Sequence, residues 1–346
     1  MNPKLRKLLI GARALCQLNV RRDPGSFVAP TMVILLSDRC NYRCVTCHCY
    51  EIGDKTRELS LNQWFTVLEE YRALGGLSVR FTGGEAFLRK RDFYQLVDWL
   101  NAHGMVAKLS TNGSLIRPDD IAELKKRHLD VVEISLHGRE KNHEDYVRIP
   151  GSQRRTVELL KTLVTEGLPA RIAFTIIKSN TGDIEYIVDL ARELGITVSF
   201  NILDNHLYYF KDLDASIFPS AAEMRQAGET LIALKQRHPE AINGTVEHFA
   251  AIPRLYEDSR MREYFCARTL MNLYLDSFGN LYHGCWAMKP SGNVAQQRLK
   301  DILESNEYRD CRRKGFLKEC PGCTCGYQMD FALNLFKRDV PPALGA

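Results

Sequence analysis

No apolar run in the 346 residues approaches transmembrane length, and the one apolar stretch near the start is broken by Arg13. Neither a membrane span nor a secretory signal is therefore expected. Low-complexity segments are absent, and no repeat exists beyond an alternation of strand-like and helix-like stretches. Disordered and fibrous classes are thereby set aside. Charge is slight: a net +5 fits an anionic substrate or cofactor but is too weak for a nucleic-acid partner. With no secretory signal, a cytoplasmic and reducing compartment is expected, where thiols persist. The first 22 residues contain no acid at all. Leu5, Leu8, Leu9, Ala12 and Leu15 recur there at helical spacing, with Lys4, Arg6, Lys7 and Arg13 between them. This is a basic amphipathic helix, either packed on the main domain or making a peripheral contact with membrane lipid or a partner.

What the sequence does have is cysteine. Of eleven, four fall within 40–49 and three within 320–325, and such tight clusters suit metal ligation better than loop-closing disulfides. Cys40, Cys44 and Cys47 follow directly on the apolar run Met32–Leu36, which reads as a buried strand. Three thiolates on one loop can hold three irons of a [4Fe–4S] cluster and leave the fourth iron open. Zinc is the alternative, with Cys49 as its fourth ligand.

From Thr31 the chain alternates. Strands are predicted at 32–36, 77–81, 105–109, 130–136, 171–177 and 196–202. Helices are predicted from Ser60, over 90–103, 118–127, 152–166 and 183–194, and again near 221–236. Six strand–helix units in series argue for an α/β fold with a parallel sheet that right-handed crossovers curl into a barrel. Polar, glycine-bearing clusters end consecutive strands: Phe81-Thr-Gly-Gly-Glu-Ala86, Ser110-Thr-Asn-Gly113 and Ser135-Leu-His-Gly138. A barrel builds its active-site rim from such strand ends. Past about Tyr264 the alternation stops. Leu273–His283 reads as a hairpin around Phe278-Gly-Asn280, and Cys266, Cys285 and Cys320-Pro-Gly-Cys323-Thr-Cys325 mark a small, separate metal-stabilised domain.

Cys40-Asn-Tyr-Arg-Cys44-Val-Thr-Cys47 and Gly83-Gly-Glu85, supported by the clusters at 110–113 and 135–138, resemble the motifs of radical S-adenosylmethionine (SAM) enzymes over about 31–205. The resemblance implies a partial (β/α)6 barrel of parallel strands with a small C-terminal metal-cluster domain. It implies a SAM-binding [4Fe–4S] cluster on Cys40, Cys44 and Cys47. Gly83, Gly84 and Glu85 would hold the methionine end of SAM, with Asn112 and Ser135 near the ribose or the methionine carboxylate. Two positions depart from the family pattern: Thr46 replaces an aromatic, and Ala86 replaces a proline. The last quarter resembles the twitch or SPASM extension, so Cys266, Cys285, Cys320 and Cys323 are expected to hold an auxiliary [4Fe–4S] cluster; a zinc knuckle is the alternative.

The implied organisation is an N-terminal helix and lead-in at 1–30, the barrel at 31–205, a helical connection at 206–263, the auxiliary domain at 264–335 and a tail at 336–346. The implied activity is reductive cleavage of SAM to a 5′-deoxyadenosyl radical, fed by a reducing partner such as flavodoxin or ferredoxin. Hydrogen would be taken from a small alcohol or sugar-like substrate, oxidised through the auxiliary cluster. A ribosomally made peptide is the alternative substrate, and a non-catalytic zinc or iron–sulfur protein the alternative class. Only about thirty residues precede the first strand, too few for an added peptide-recognition domain. That tilts the expectation toward the small molecule.

Overall fold

The computed structural model describes residues 28–204, 212–258, 266 and 268–320, together with Ala12. The expected N-terminal helix, the tail, Cys323 and Cys325 fall outside the described residues.

The frame is a run of parallel strands: β1 (Thr31–Ser37), β2 (Ser78–Gly83), β3 (Val106–Thr111), β4 (Leu129–Ser135), β5 (Ala170–Ile176) and β6 (Thr197–Ile202). Each is hydrogen-bonded to the next in sequence order. The apolar runs predicted as strands are these strands, with boundaries shifted by one or two residues. β1 is buried from Met32 to Ser37, as a strand covered on both faces requires. Along the others, alternate residues part company. Phe81, Leu109, Val132, Ile134, Ile172 and Phe174 pack in one core with the helix residues Trp64, Phe93 and Leu160. Their neighbours in the strands, Arg80, Ser110, Glu133 and Arg171, meet one another on the opposite, inner face. Arg80 Nη1 donates to Glu133 Oε2 and to Ser110 Oγ, each at 2.8 Å, and Arg171 stands 3.9 Å from Glu133 Oε1. Period-two alternation thus gives an apolar coat toward the helices and a charged lumen.

The returning helices begin where capping chemistry places them. Ser60 and Gln63 form a capping box ahead of Leu61–Ala73, and Ser220 and Glu223 another ahead of Ala221–Arg237. A polar helix, Glu140–Val147, precedes the expected one after β4. Its sequence carries too few apolar residues to show a helical stripe. Among the described residues between 206 and 263 the connection holds two α-helices, Ala221–Arg237 and Val246–Glu257, joined through β7 (Ile242–Asn243), which pairs with β6. Pro253 inside the second helix masks its pattern.

The C-terminal hairpin forms as predicted, β8 (Asn272–Leu275) against β9 (Asn280–Tyr282), with β10 (Gly292–Asn293) beyond. It is not detached from the barrel. β8 runs parallel to β1, Thr31 opposite Asn272 and Ile34 opposite Leu275, so one ten-stranded sheet reads β10-β9-β8-β1-β2-β3-β4-β5-β6-β7. A partial barrel leaves one edge of β1 unpaired, and the hairpin occupies it.

Candidate metal and cofactor site

The ladder between β1 and β2 shifts register between Leu35 and Ser37, and the chain leaves the sheet there for the cysteine loop. Glu58 anchors the loop's root. Its carboxylate accepts from Ser37 Oγ at 2.5 Å and from Arg39 Nε and Nη2 at 3.1 and 3.2 Å. Within the loop, Cys47 N–H donates to the Cys44 carbonyl at 3.1 Å and Tyr42 N–H to Cys40 Sγ at 3.3 Å.

The four sulfurs act on one another. The Cys49 thiol donates to Cys40 and to Cys47, which lowers the Cys40 pKa and raises that of Cys49. Burial, and then the charges of Cys47 and Cys40, push the Cys44 thiol up. No cysteine among the described residues is in a disulfide. Nor do three His, Cys, Asp or Glu side chains among them close on a single metal ion. Neighbouring half-buried thiols whose charged forms repel one another call for positive charge between them if they are to ionise together, and a soft thiolate set suits an iron–sulfur cluster. Cys40, Cys44 and Cys47 fit that group. Cys49, buried against Leu35, serves as a hydrogen-bond donor to the other sulfurs.

Glycines at 83 and 84 let the end of β2 lie directly on the loop's root. Gly84 N–H donates to the Ser37 carbonyl and Glu85 N–H to that of Arg39, each at 2.8 Å. A Cβ on Gly84 would overlap the Arg39 carbonyl, and Gly83 has φ +134°, which favours glycine. Glu85 is only 1% exposed. Its carboxylate accepts from Phe87 N–H at 2.8 Å, Thr111 Oγ1 at 2.7 Å and Asn112 N–H at 2.9 Å, while burial raises its pKa. The expected acid is therefore already occupied by protein donors, and it ties β2's end to β3's. Asn112 in turn reaches the loop: Nδ2 donates to Asn41 Oδ1 at 3.0 Å and lies 3.9 Å from Cys40 Sγ. Ser135 is half-buried at the end of β4, opposite Ala173 of β5, on the same rim but without a contact to this group.

Thr46, where the family pattern has an aromatic, is buried, and its hydroxyl shares a 2.7 Å hydrogen bond with Tyr146 Oη from helix Glu140–Val147. Val45 N–H donates to the Tyr146 carbonyl at 2.9 Å. The Tyr146 ring stacks on His137 at 3.9 Å, and burial raises its pKa. His137 Nδ1 accepts from Thr175 N–H at 3.1 Å, and His143 Nδ1 from His137 N–H at 3.0 Å. Burial holds the His143 pKa down at about 4 and lowers that of His137 well below its ordinary value. Both histidines are neutral and accept at Nδ1, which places their ring proton on Nε2 and braces the loop. No pattern in the sequence marks Tyr146 for this role.

Toward the C-terminus, Cys285 lies within range of the charges of Cys266 and Cys320. Burial, and then the neighbouring charge of Cys266, push the Cys285 thiol up to about 12. Cys266 N–H donates to the Phe316 carbonyl at 3.0 Å. This donor set also fits an iron–sulfur cluster. Trp286, next to Cys285, links the two cysteine sets. Its ring centroid lies 4.7 Å from those of Tyr274 and Tyr282, and it packs with Leu35 and Cys49 beside Cys40 and Cys47. Asp38 makes a second link. It accepts from both Oγ and N–H of Ser277, and Leu59 N–H donates to the Ser277 carbonyl at 2.7 Å.

Fold and site together define a barrel protein built around a three-cysteine cluster loop, with a second cysteine set docked on its first strand. Residues 34–194 match the Radical SAM superfamily, and residues 266–324 match the SPASM family, an iron-sulfur cluster-binding domain. The chain carries a Radical SAM domain and a SPASM domain, and the cofactors that go with these two domains are SAM and [4Fe–4S] clusters. It is 32% identical over 205 residues to mycofactocin maturase MftC of Mycolicibacterium smegmatis (58% of this chain, 51% of that protein). It is 32% identical over 183 residues to Fe-coproporphyrin III synthase of Methanosarcina barkeri (52% and 44%), and 31% identical over 171 residues to the PqqA peptide cyclase of Gluconobacter oxydans (48% and 48%). The chain thus spans about half the length of these relatives. Among solved structures, Streptococcus suis SuiB bound to precursor peptide SuiA superposes with a TM-score of 0.69 at 19% identity, covering 89% of this chain and 74% of SuiB, which shows the shared fold. Among the described residues no helix is long and apolar enough to cross a membrane.

Proposed function

We propose that this chain reductively cleaves SAM and uses the resulting radical to take hydrogen from a ribosomally made peptide. The observation that carries the reading is the grouping of Cys40, Cys44 and Cys47 over the ends of β2 and β3, with the Asn112 amide directed at Cys40. Those three cysteines would hold three irons, and Cys266, Cys285, Cys320 and Cys323 would hold the auxiliary cluster. When bound, the cluster and SAM supply an electron and a C5′–S bond whose cleavage gives the 5′-deoxyadenosyl radical.

The protein's own part is placement and exclusion of water. Gly83 and Gly84 present bare backbone beside the cluster loop, where the methionine end of SAM would lie. Glu85 fixes Asn112 through its N–H, so it acts on the ligand through a neighbour. Ser135 on the same rim would border the ribose. The lumen below offers Arg80, Glu133 and Arg171, a setting for a polar substrate segment.

The peptide reading replaces the small alcohol or sugar-like expectation. Its support is in the names of the relatives, a maturase and a peptide cyclase among them. Fe-coproporphyrin III synthase keeps a non-peptide substrate as the second reading. The test is to incubate reconstituted protein, SAM and dithionite with short peptides encoded beside its gene. We expect a mass change in one peptide, matched by 5′-deoxyadenosine. Deoxyadenosine formed with no change in any peptide, but with turnover of a tetrapyrrole or an alcohol, would overturn the peptide assignment.

A further inference from the structure

Behind the cysteine loop lies a cavity of about 570 Å³ that none of the chemistry above uses. Arg39, whose side chain lines it, immediately precedes Cys40. Five cations border it, Arg39, Lys55, Arg89, Lys90 and Arg91, against two acids, Glu58 and Asp92. The inner cations are already satisfied. Arg39 is paired with Glu58, and Arg89 Nη2 lies 2.7 Å from Asp92 while its Nη1 donates to the Leu36 carbonyl. Lys90 pairs with Asp120 at 2.9 Å. The surplus sits on the rim. Lys55 and Arg91 are exposed and have no acidic partner among the described residues. Beside them is Leu88, at 37% the one exposed large hydrophobic among the described residues.

That distribution favours a large partner over a small anion. An anion entering the cavity would find Arg39, Arg89 and Lys90 already engaged, whereas an acidic surface laid across the rim would meet Lys55 and Arg91, which have no acidic partner among the described residues, and cover Leu88. Charged rims around an apolar residue are how transient protein contacts are built, and unpaired surface charge speeds the encounter. We infer that this face docks an acidic one-electron carrier protein, set one residue from a cluster ligand. The inference rests on the proposed reductive cleavage of SAM, which consumes one electron per event. The carrier is oxidised by one electron and the cluster is reduced by one; no bond forms or breaks at the interface.

Flavodoxin is the probe. Its binding to reconstituted protein is measured by calorimetry at low ionic strength, and cluster reduction by flavodoxin hydroquinone is followed by stopped-flow absorbance. Lys55→Glu combined with Arg91→Glu is expected to weaken binding and slow reduction by at least about tenfold, the lower end of electrostatic steering. Added salt should shrink the difference. Deoxyadenosine formed with dithionite, a small chemical reductant, should stay within about twofold of the parent by the same steering argument, since that reductant needs no docking face. The neutral pair Lys55→Gln and Arg91→Gln should show a smaller loss in the same direction, which guards against misfolding of the reversed variant. Equal flavodoxin binding in parent and variants, no binding by the parent, or a loss confined to peptide binding would each overturn the assignment. Absence of dithionite-driven deoxyadenosine in the parent would instead sink the SAM reading, and calorimetry would still decide the docking face.

Discussion

Replacing Gly84 by Ala tests how tightly the second strand end is fitted to the cysteine loop. A Cβ there would lie 2.6 Å from the Arg39 carbonyl carbon and 2.9 Å from the Asp38 carbonyl oxygen, and would overlap the Arg39 oxygen. Ordinary contact begins at 3.4 Å, so the two backbone segments must part by at least about 0.8 Å, the shortfall at the Arg39 carbonyl carbon, and by more at its oxygen. That movement breaks or lengthens two hydrogen bonds, Gly84 N–H to Ser37 and Glu85 N–H to Arg39, both 2.8 Å now. At about 1–3 kcal/mol for each buried group left unsatisfied, Gly84→Ala should destabilise the chain by roughly 2–6 kcal/mol. That is a large share of a typical domain's stability of about 5–15 kcal/mol. Gly182 is the control, because a Cβ there meets nothing within 4 Å. Urea unfolding and iron per chain are the assays. We expect Gly84→Ala to lower the midpoint and to lose iron from the first cluster before the auxiliary one, with Gly182→Ala close to the parent. A Gly84→Ala protein with the parent's midpoint and iron content would refute the close packing of Gly84 on Arg39.

Tyr146→Phe removes the hydroxyl that satisfies buried Thr46 and should cost about 1–2 kcal/mol; adding Thr46→Val should recover part of it, and strictly additive effects in urea unfolding would refute the bond. His143 is neutral in the folded chain with a pKa near 4, against about 6.5 unfolded. Its contribution is therefore present above pH 6.5 and is lost as pH falls toward 4, by up to about 3 kcal/mol. His143→Gln should flatten that part of the stability–pH curve relative to the parent, and superimposable curves would contradict a buried neutral His143.

Much of this architecture is local and so was legible. Each of β1 to β6 is a short apolar run ending in glycine or polar residues, and the hairpin turn at Gly279 announces itself. The cysteine loop is likewise contained in eight consecutive residues, 40–47. What could not be read is non-local. Pairing of β8 with β1 joins residues some 240 positions apart, Thr31 to Asn272, and leaves no mark on either strand. Tyr146 reaches Thr46 from a helix too polar to be seen as one. Nothing in the sequence marks Trp286 beside Cys285, and only the folded chain shows it packed near Cys40 and Cys47. Glu85 stood out in the sequence as a candidate, but its partners did not: the carboxylate faces Thr111 and Asn112.

Deoxyadenosine formation bears most directly on the radical-generating role of the Cys40–Cys47 loop. The protein is reconstituted anaerobically with iron and sulfide, and 5′-deoxyadenosine is measured after adding dithionite and SAM. We expect a brown protein that forms deoxyadenosine, and a Cys40→Ala, Cys44→Ala, Cys47→Ala variant that forms none while keeping the auxiliary iron. A colourless, zinc-loaded protein, or deoxyadenosine undiminished in the triple variant, would contradict it.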